Sequence, residues 1–126
     1  MWRDKAQKTI SAFAARLQSN PEAVPALASA LDFRLAQTEQ ILIAGDHMSQ
    51  DTRELLRRVN ARFLPNKILL LADGGTGQQQ LAHWLPFVAG AHRIKNRATA
   101  YICETYICKL PISDPDVMSR LLDDGH

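Results

Sequence analysis

Cysteine is scarce in this sequence: there are two residues, Cys103 and Cys108, and the N-terminal stretch Met1 to Lys8 has no apolar core followed by a small-residue cleavage site. A disulfide-dense secreted scaffold is therefore excluded, and both thiols are expected to stay reduced in a cytoplasmic chain. Long hydrophobic runs are absent too. The longest, Lys67 to Ala72, is strand-sized and far short of the roughly 20 residues a membrane span requires, so no membrane partner is expected. Charge of one sign is also lacking, because 15 basic residues are nearly balanced by 13 acidic ones. Arg53, Arg57 and Arg58 gather on one predicted helix, but Glu54 interrupts them, and no nucleic-acid partner is expected. Glycine and proline, six of each, are neither enriched nor periodic, which removes collagen-like and disordered classes. Among the few aromatics, Trp2, Phe13 and Phe33 lie in helical surroundings and read as packing residues rather than a ligand cage.

What is present is the material of one small globular core: 126 residues, 46% of them apolar. Ile10, Phe13, Ala14 and Leu17 recur at helical spacing and predict a helix from about Arg3 to Gln18, ended by Asn20-Pro21. Val24, Leu27, Ala28, Leu31 and Leu35 repeat the period, with Pro25 tolerated in a first turn. Together these segments read as an αα-hairpin over residues 1–38. The period then changes, and residues 39–126 read as an α/β domain. Ile41 to Ala44 is a buried strand, Ser49 caps a helix carrying Leu55, Leu56, Val59 and Phe63, and Ile68 to Ala72 is a second strand. A short helix follows with Leu81, Trp84, Leu85 and Val88, shortened or kinked at Pro86. Ala98 to Ile112 reads as a β-hairpin turning near Glu104-Thr105, and Ser113 or Asp114 caps a last helix with Val117, Met118, Leu121 and Leu122. The expected class is α/β, with an N-terminal αα-hairpin and then β-α-β-α-β-β-α on a mixed four-stranded sheet. That order is glutaredoxin-like, although such a domain carries cysteines where this one has Gly45 to Ser49, and a proline where it has Arg97-Ala-Thr99.

Three constellations deserve chemistry. Two thiols on one hairpin could stay reduced in the core, form a disulfide or act as a redox couple, and hairpin register decides among them. A two-residue turn at Glu104-Thr105 makes Cys103 and Cys108 diagonal neighbours, whereas four intervening turn residues set them directly opposite. Zinc would need His47, His83 or His92 in addition, at a spacing that fits no standard pattern, and no metal or cofactor is expected. The loops Asp46-His-Met-Ser49 and Asp73-Gly-Gly-Thr-Gly77 follow the two parallel strands and should emerge at the same sheet edge, where α/β proteins bind ligands. Neither matches a phosphate-binding loop. The weak candidates for chemistry are thus Cys103, Cys108 and Asp46.

The stretch Ala98-Thr-Ala-Tyr-Ile-Cys-Glu-Thr-Tyr-Ile-Cys-Lys-Leu-Pro-Ile-Ser-Asp-Pro115 resembles the C-terminal signature of the spermatogenesis-associated protein 20-like, thioredoxin-domain-containing family. The resemblance extends through Ile41 to Asp46, Arg62 to Lys67, Leu85 to Phe87, Ala30 to Phe33 and Asp4 to Ala6. It implies a parent of three parts: a thioredoxin-like domain, a helical toroid similar to six-hairpin glycosidases, and a C-terminal α/β region. This chain matches the last toroid helices and the α/β region, without the family's thioredoxin C-x-x-C. The expected role is accordingly a non-catalytic accessory domain or fragment. Its partner is then the rest of the parent polypeptide, or a second copy joined through the helical hairpin. The alternative is a stand-alone thiol redox or metal-dependent protein using Cys103 and Cys108.

Overall fold

Ile41, Leu42, Ile43 and Ala44 are each at most 1% exposed in the computed structural model, which describes residues 2–105 and 107–124. A strand that hides side chains on both faces must run inside a sheet covered on both sides. That strand, β1 (Glu39–Ala44), lies between β2 (Lys67–Ala72) and β3 (Thr99–Glu104), and the sheet order is β2-β1-β3-β4 with β4 spanning Ile107–Cys108. β1 and β2 are parallel, joined by helix α4 (Gln50–Asn60), while β3 and β4 run antiparallel. The mixed four-stranded α/β sheet read from the sequence is the one observed.

Alternation along the strands divides the core in two. Ile41 and Ile43 pack with Ala98, Ala100 and Ile102 against Leu55 and Val59 of α4 and against Met118 and Leu122 of α6 (Pro115–Asp124). Leu42 and Ala44 face the other way, toward Ala72, Val88, Ala91 and the half-buried Leu81 and Leu85. This second face is covered by α5 (Thr76–Trp84) and the 3-10 turn Pro86–Gly90, so Pro86 separates two helical pieces as its missing N–H requires. Asp114 caps α6, its carboxylate accepting from the Asp116 N–H (2.8 Å). A row of arginines ties α4 to α6: Arg58 donates to Glu54, Asp116 and Ser119, and Arg62 meets both oxygens of Asp123.

Two compact units divide the chain, Met1–Gln37 and Thr38–His126. In the first, the predicted Arg3-to-Gln18 helix is broken at Phe13 into α1 (Trp2–Ala12) and α2 (Ala14–Ser19). A 3-10 turn at Pro21–Ala23 leads to α3 (Pro25–Leu35). Of the two apolar stripes that the spacing sets apart, Leu17 is buried and Ile10, Val24, Leu27, Ala28 and Leu31 are half-buried, while Phe13 and Leu35 are exposed, as are Trp2 and Phe33 outside the stripes. Phe63 and Trp84, read as core-facing, are also exposed, because α4 and α5 end at Asn60 and Trp84 and leave these side chains past the sheet they were to cover.

The hairpin departs from the sequence reading by one residue. Its outermost pair is Glu104 with Ile107, so the turn begins at Thr105 rather than being centred on Glu104-Thr105, and Cys103 lies directly opposite Cys108. The two sulfurs are joined in a disulfide, which corrects the expectation of reduced thiols. Register is the physical reason: a shift of one residue converts diagonal neighbours into facing ones.

Candidate functional site

Parallel strands β1 and β2 end together, and the chain leaves them through Gly45-Asp46 and Asp73-Gly74. These residues line a cavity of about 300 Å³ together with Ala72, Gln78, Ala91, His92 and Arg93. The expectation that both loops open at one sheet edge is met here. Gly45 is required by packing, since a Cβ at this position would run into the Thr52 hydroxyl and press on Ala98.

The cavity walls are held by polar groups, of which the sequence reading passed over Gln78. Gln78 is buried, and its amide nitrogen donates to the carbonyls of Val88 and Ala91 at 2.9 Å each, while its oxygen accepts from the Gly74 N–H at 2.8 Å. One side chain thus fixes both walls. Asp73 turns its carboxylate onto the N–H groups of Gly75 and Gln78 at the start of α5, and those bonds hold its pKa below the usual carboxylate range. The helix end is capped by the protein's own anion. Asp46 is exposed, accepts from the Met48 N–H (2.9 Å) and stands 3.7 Å from the His47 imidazole. Its position on the cavity rim is that of a loop former.

Beside the cavity, α4 starts at Ser49, whose hydroxyl bonds to the Asp46 carbonyl and to the Thr52 hydroxyl, both at 2.8 Å. Ser49 is the N-cap residue as expected, yet its side chain does not bond the helix amides. Asp51 takes that part: Oδ1 accepts from the Thr52 N–H, and Oδ2 reaches across to the Ala98 N–H just before β3, at 2.8 Å. The bond from the Ala98 N–H, first among the causes, lowers the Asp51 pKa. The pre-β3 segment is further pinned by Thr99, whose hydroxyl accepts from the Ile94 N–H and donates to the Arg97 carbonyl. Lys95 and Asn96, at φ 52° and 60°, turn between the bridged pair Ile94 and Arg97.

Of the remaining candidates only His92 borders this place. Cys103 pairs in register with Gln40 at the start of β1, at the opposite end of the sheet from Gly45. His47, His83 and His92 are exposed, and among the described residues no group of three or more His, Cys, Asp or Glu is arranged to hold a metal. Among the described residues no helix is long and apolar enough to cross a membrane. A signal for Gln78 or Asp51 was hard to find, because single polar residues in helical first turns are ordinary caps until the fold brings distant amides to them.

Set against known proteins, the sequence matches no family model. It is 38% identical over 121 residues to spermatogenesis-associated protein 20 of Homo sapiens and 39% identical over 121 residues to that of Rattus norvegicus. The chain is homologous to a segment of spermatogenesis-associated protein 20. The match covers 96% of this chain and 15% of each relative, so the chain spans about one-seventh of spermatogenesis-associated protein 20. Among solved structures, thioredoxin f from spinach chloroplast (short form) superposes with a TM-score of 0.48 at 14% identity, over 71% of this chain and 77% of that one.

Proposed function

We propose that this chain is a non-catalytic accessory domain, the C-terminal part of a larger thioredoxin-domain protein. The observation that carries this reading is the start of α4. A reactive C-x-x-C pair sits at a helix N-terminus, where the helix field lowers the thiol pKa. Here the same spacing holds Ser49 and Thr52, hydroxyls bonded to each other at 2.8 Å with no thiol between them. The small share of the homologous proteins that the chain spans supports the same reading. In it, the first unit is the end of a six-hairpin glycosidase-like toroid, and the rest of that polypeptide is the natural partner of the exposed Trp2, Phe13, Phe33 and Leu35. A second copy is the occupant when the chain is isolated. The setting is cytoplasmic.

An insulin disulfide-reduction assay tests this role. The expected rate is the background rate, unchanged by Cys103→Ser with Cys108→Ser. A rate clearly above background that the double substitution abolishes would establish the second reading, a thiol redox protein, which the Cys103–Cys108 pairing favours. Sequencing the genomic DNA upstream of Met1 tests the larger-protein half: an in-frame helical region is expected, and an immediate stop codon would sink it.

A further inference from the structure

Cys103 and Cys108 occupy a facing position of the β3–β4 ladder that carries no backbone hydrogen bond of its own. The pair beyond it is Glu104 with Ile107, and the next bond inward runs from the Lys109 N–H to the Ile102 carbonyl at 2.9 Å. Side chains approach each other most closely at such positions. The two residues differ sharply in exposure, for Cys103 is 0% exposed in the core whereas Cys108 lies on the exposed edge strand.

Among the described residues, little apart from the disulfide holds this end of the hairpin. β4 has two residues and two register pairs. Thr105, a β-branched residue, takes φ 51°, a left-handed conformation that favours Gly or Asn. Ile107 and Leu110 are 77% and 86% exposed, so their apolar surface contributes almost no burial. Past the single Lys109–Ile102 bond, the returning arm is next fastened where Ala100 and Ile112 exchange both amide bonds.

We propose that the Cys103–Cys108 disulfide is an exchange site for a protein dithiol, and that its reduction releases β4 from the edge of β3. A thiolate of the donor attacks the sulfur of Cys108, the exposed member of the pair, forming a mixed disulfide. The Cys103–Cys108 bond breaks, and its electron pair leaves on Cys103, which takes a proton. The donor's second thiol then attacks the mixed disulfide and frees Cys108 as a thiol. The donor departs as a disulfide, having passed two electrons and two protons to the pair. In a reducing compartment a disulfide is more often a cycling element than a permanent staple, which fits a clasp rather than a scaffold bond. This goes beyond the accessory reading, because it concerns the state of the hairpin and requires no turnover. Closing so short a loop restrains the open chain on the order of thirtyfold by chain-entropy reckoning, and that factor is the expected size of the switch.

The test uses the whole folded chain and a donor dithiol protein whose resolving cysteine is replaced by serine, so that the mixed disulfide is trapped. Peptide mapping should find the adduct on Cys108. An adduct on Cys103, or none unless the chain is first unfolded, would overturn the proposal. Hydrogen exchange then compares the oxidised chain with the chain reduced by dithiothreitol. Amides of Glu104, Ile107 and Lys109, the bonded positions on either side of the disulfide, should exchange faster by on the order of thirtyfold after reduction, with β1 unchanged. Equal rates in the two states would remove the clasp. Cys103→Ser with Cys108→Ser should reproduce the reduced pattern, and reduction of the unmodified chain keeps the test valid if that variant folds poorly.

Discussion

At the scale of single residues, one carboxylate does unusual structural duty. Asp51 caps α4 through one oxygen and holds the Ala98 amide ahead of β3 through the other, 47 residues away in sequence. Replacing it by Ala should lower stability by about 1–2 kcal/mol, the value of a charged hydrogen bond reduced for its solvent exposure. Asp51→Asn should cost less. Urea unfolding checks both, and an unchanged midpoint in Asp51→Ala would show that the Ala98 bond contributes nothing. Gly45 presents the opposite case, a residue defined by what is missing. Gly45→Ala forces its methyl against the Thr52 hydroxyl and should cost about 1–3 kcal/mol in the same measurement. The sequence exposed Asp51 only as an acid in a first turn, and Gly45 only as a strand-ending glycine, because the partners that define them arrive through the tertiary fold.

At the scale of elements, α4 is the informative one. Its apolar period was legible, and Leu55 and Val59 are buried as that period requires. The geometry of its first turn places the Ser49 and Thr52 side chains within bonding reach of each other. Ser49→Cys with Thr52→Cys should therefore form a disulfide on mild oxidation, with one thiol titrating clearly below the ordinary cysteine range. Thiol titration by absorbance at 240 nm reads this out, and two thiols of ordinary pKa would show that the α4 start lacks the field of a redox site. The β3–β4 hairpin was legible in kind but not in register. Its turn lacks the Asn or Gly that announces a two-residue loop, so nothing local chose between turning at Glu104 and turning one residue later. Pairing of β3 with β1, from Glu39 opposite Glu104 to Ala44 opposite Thr99, sets which residues face the core.

For the molecule as a whole, acid stability follows from the ion pairs within α4 and from those that join its C-terminal end to α6. Hydrogen bonds from Arg57 and then Arg58 draw Glu54 from 4.5 to about 2, and Arg62 lowers Asp123 in the same way. These carboxyls bind protons more weakly when folded than when unfolded, so the unfolded chain takes up more protons as the pH drops. The contribution of Glu54 is complete above about pH 4.5 and is lost as the pH falls through about 2. Melting temperature should decline over that window, and Arg57→Ala with Arg58→Ala should flatten the decline. A melting curve indifferent to that double substitution would rule these pairs out as its cause. The division into units gives a second prediction: residues 38–126 should fold alone with a cooperative transition and a native near-ultraviolet circular dichroism spectrum. A non-cooperative, ANS-binding fragment would contradict it.

By itself the amino-acid sequence determined the periods: helical spacing in the first unit, two short β-branched runs, a helix between them, and hence a parallel pair with its loops at one edge. Those features are local, written in residues three, four or two apart, and apart from the break at Phe13 the folded chain keeps them. Only the tertiary structure decided the rest. Glu104 pairs with Ile107 and so makes Cys103 and Cys108 partners, Asp51 reaches Ala98, and Gln78 spans two loops to shape the cavity. Each of these depends on which distant backbone groups are left to be satisfied once the sheet has closed, and that accounting exists only in three dimensions.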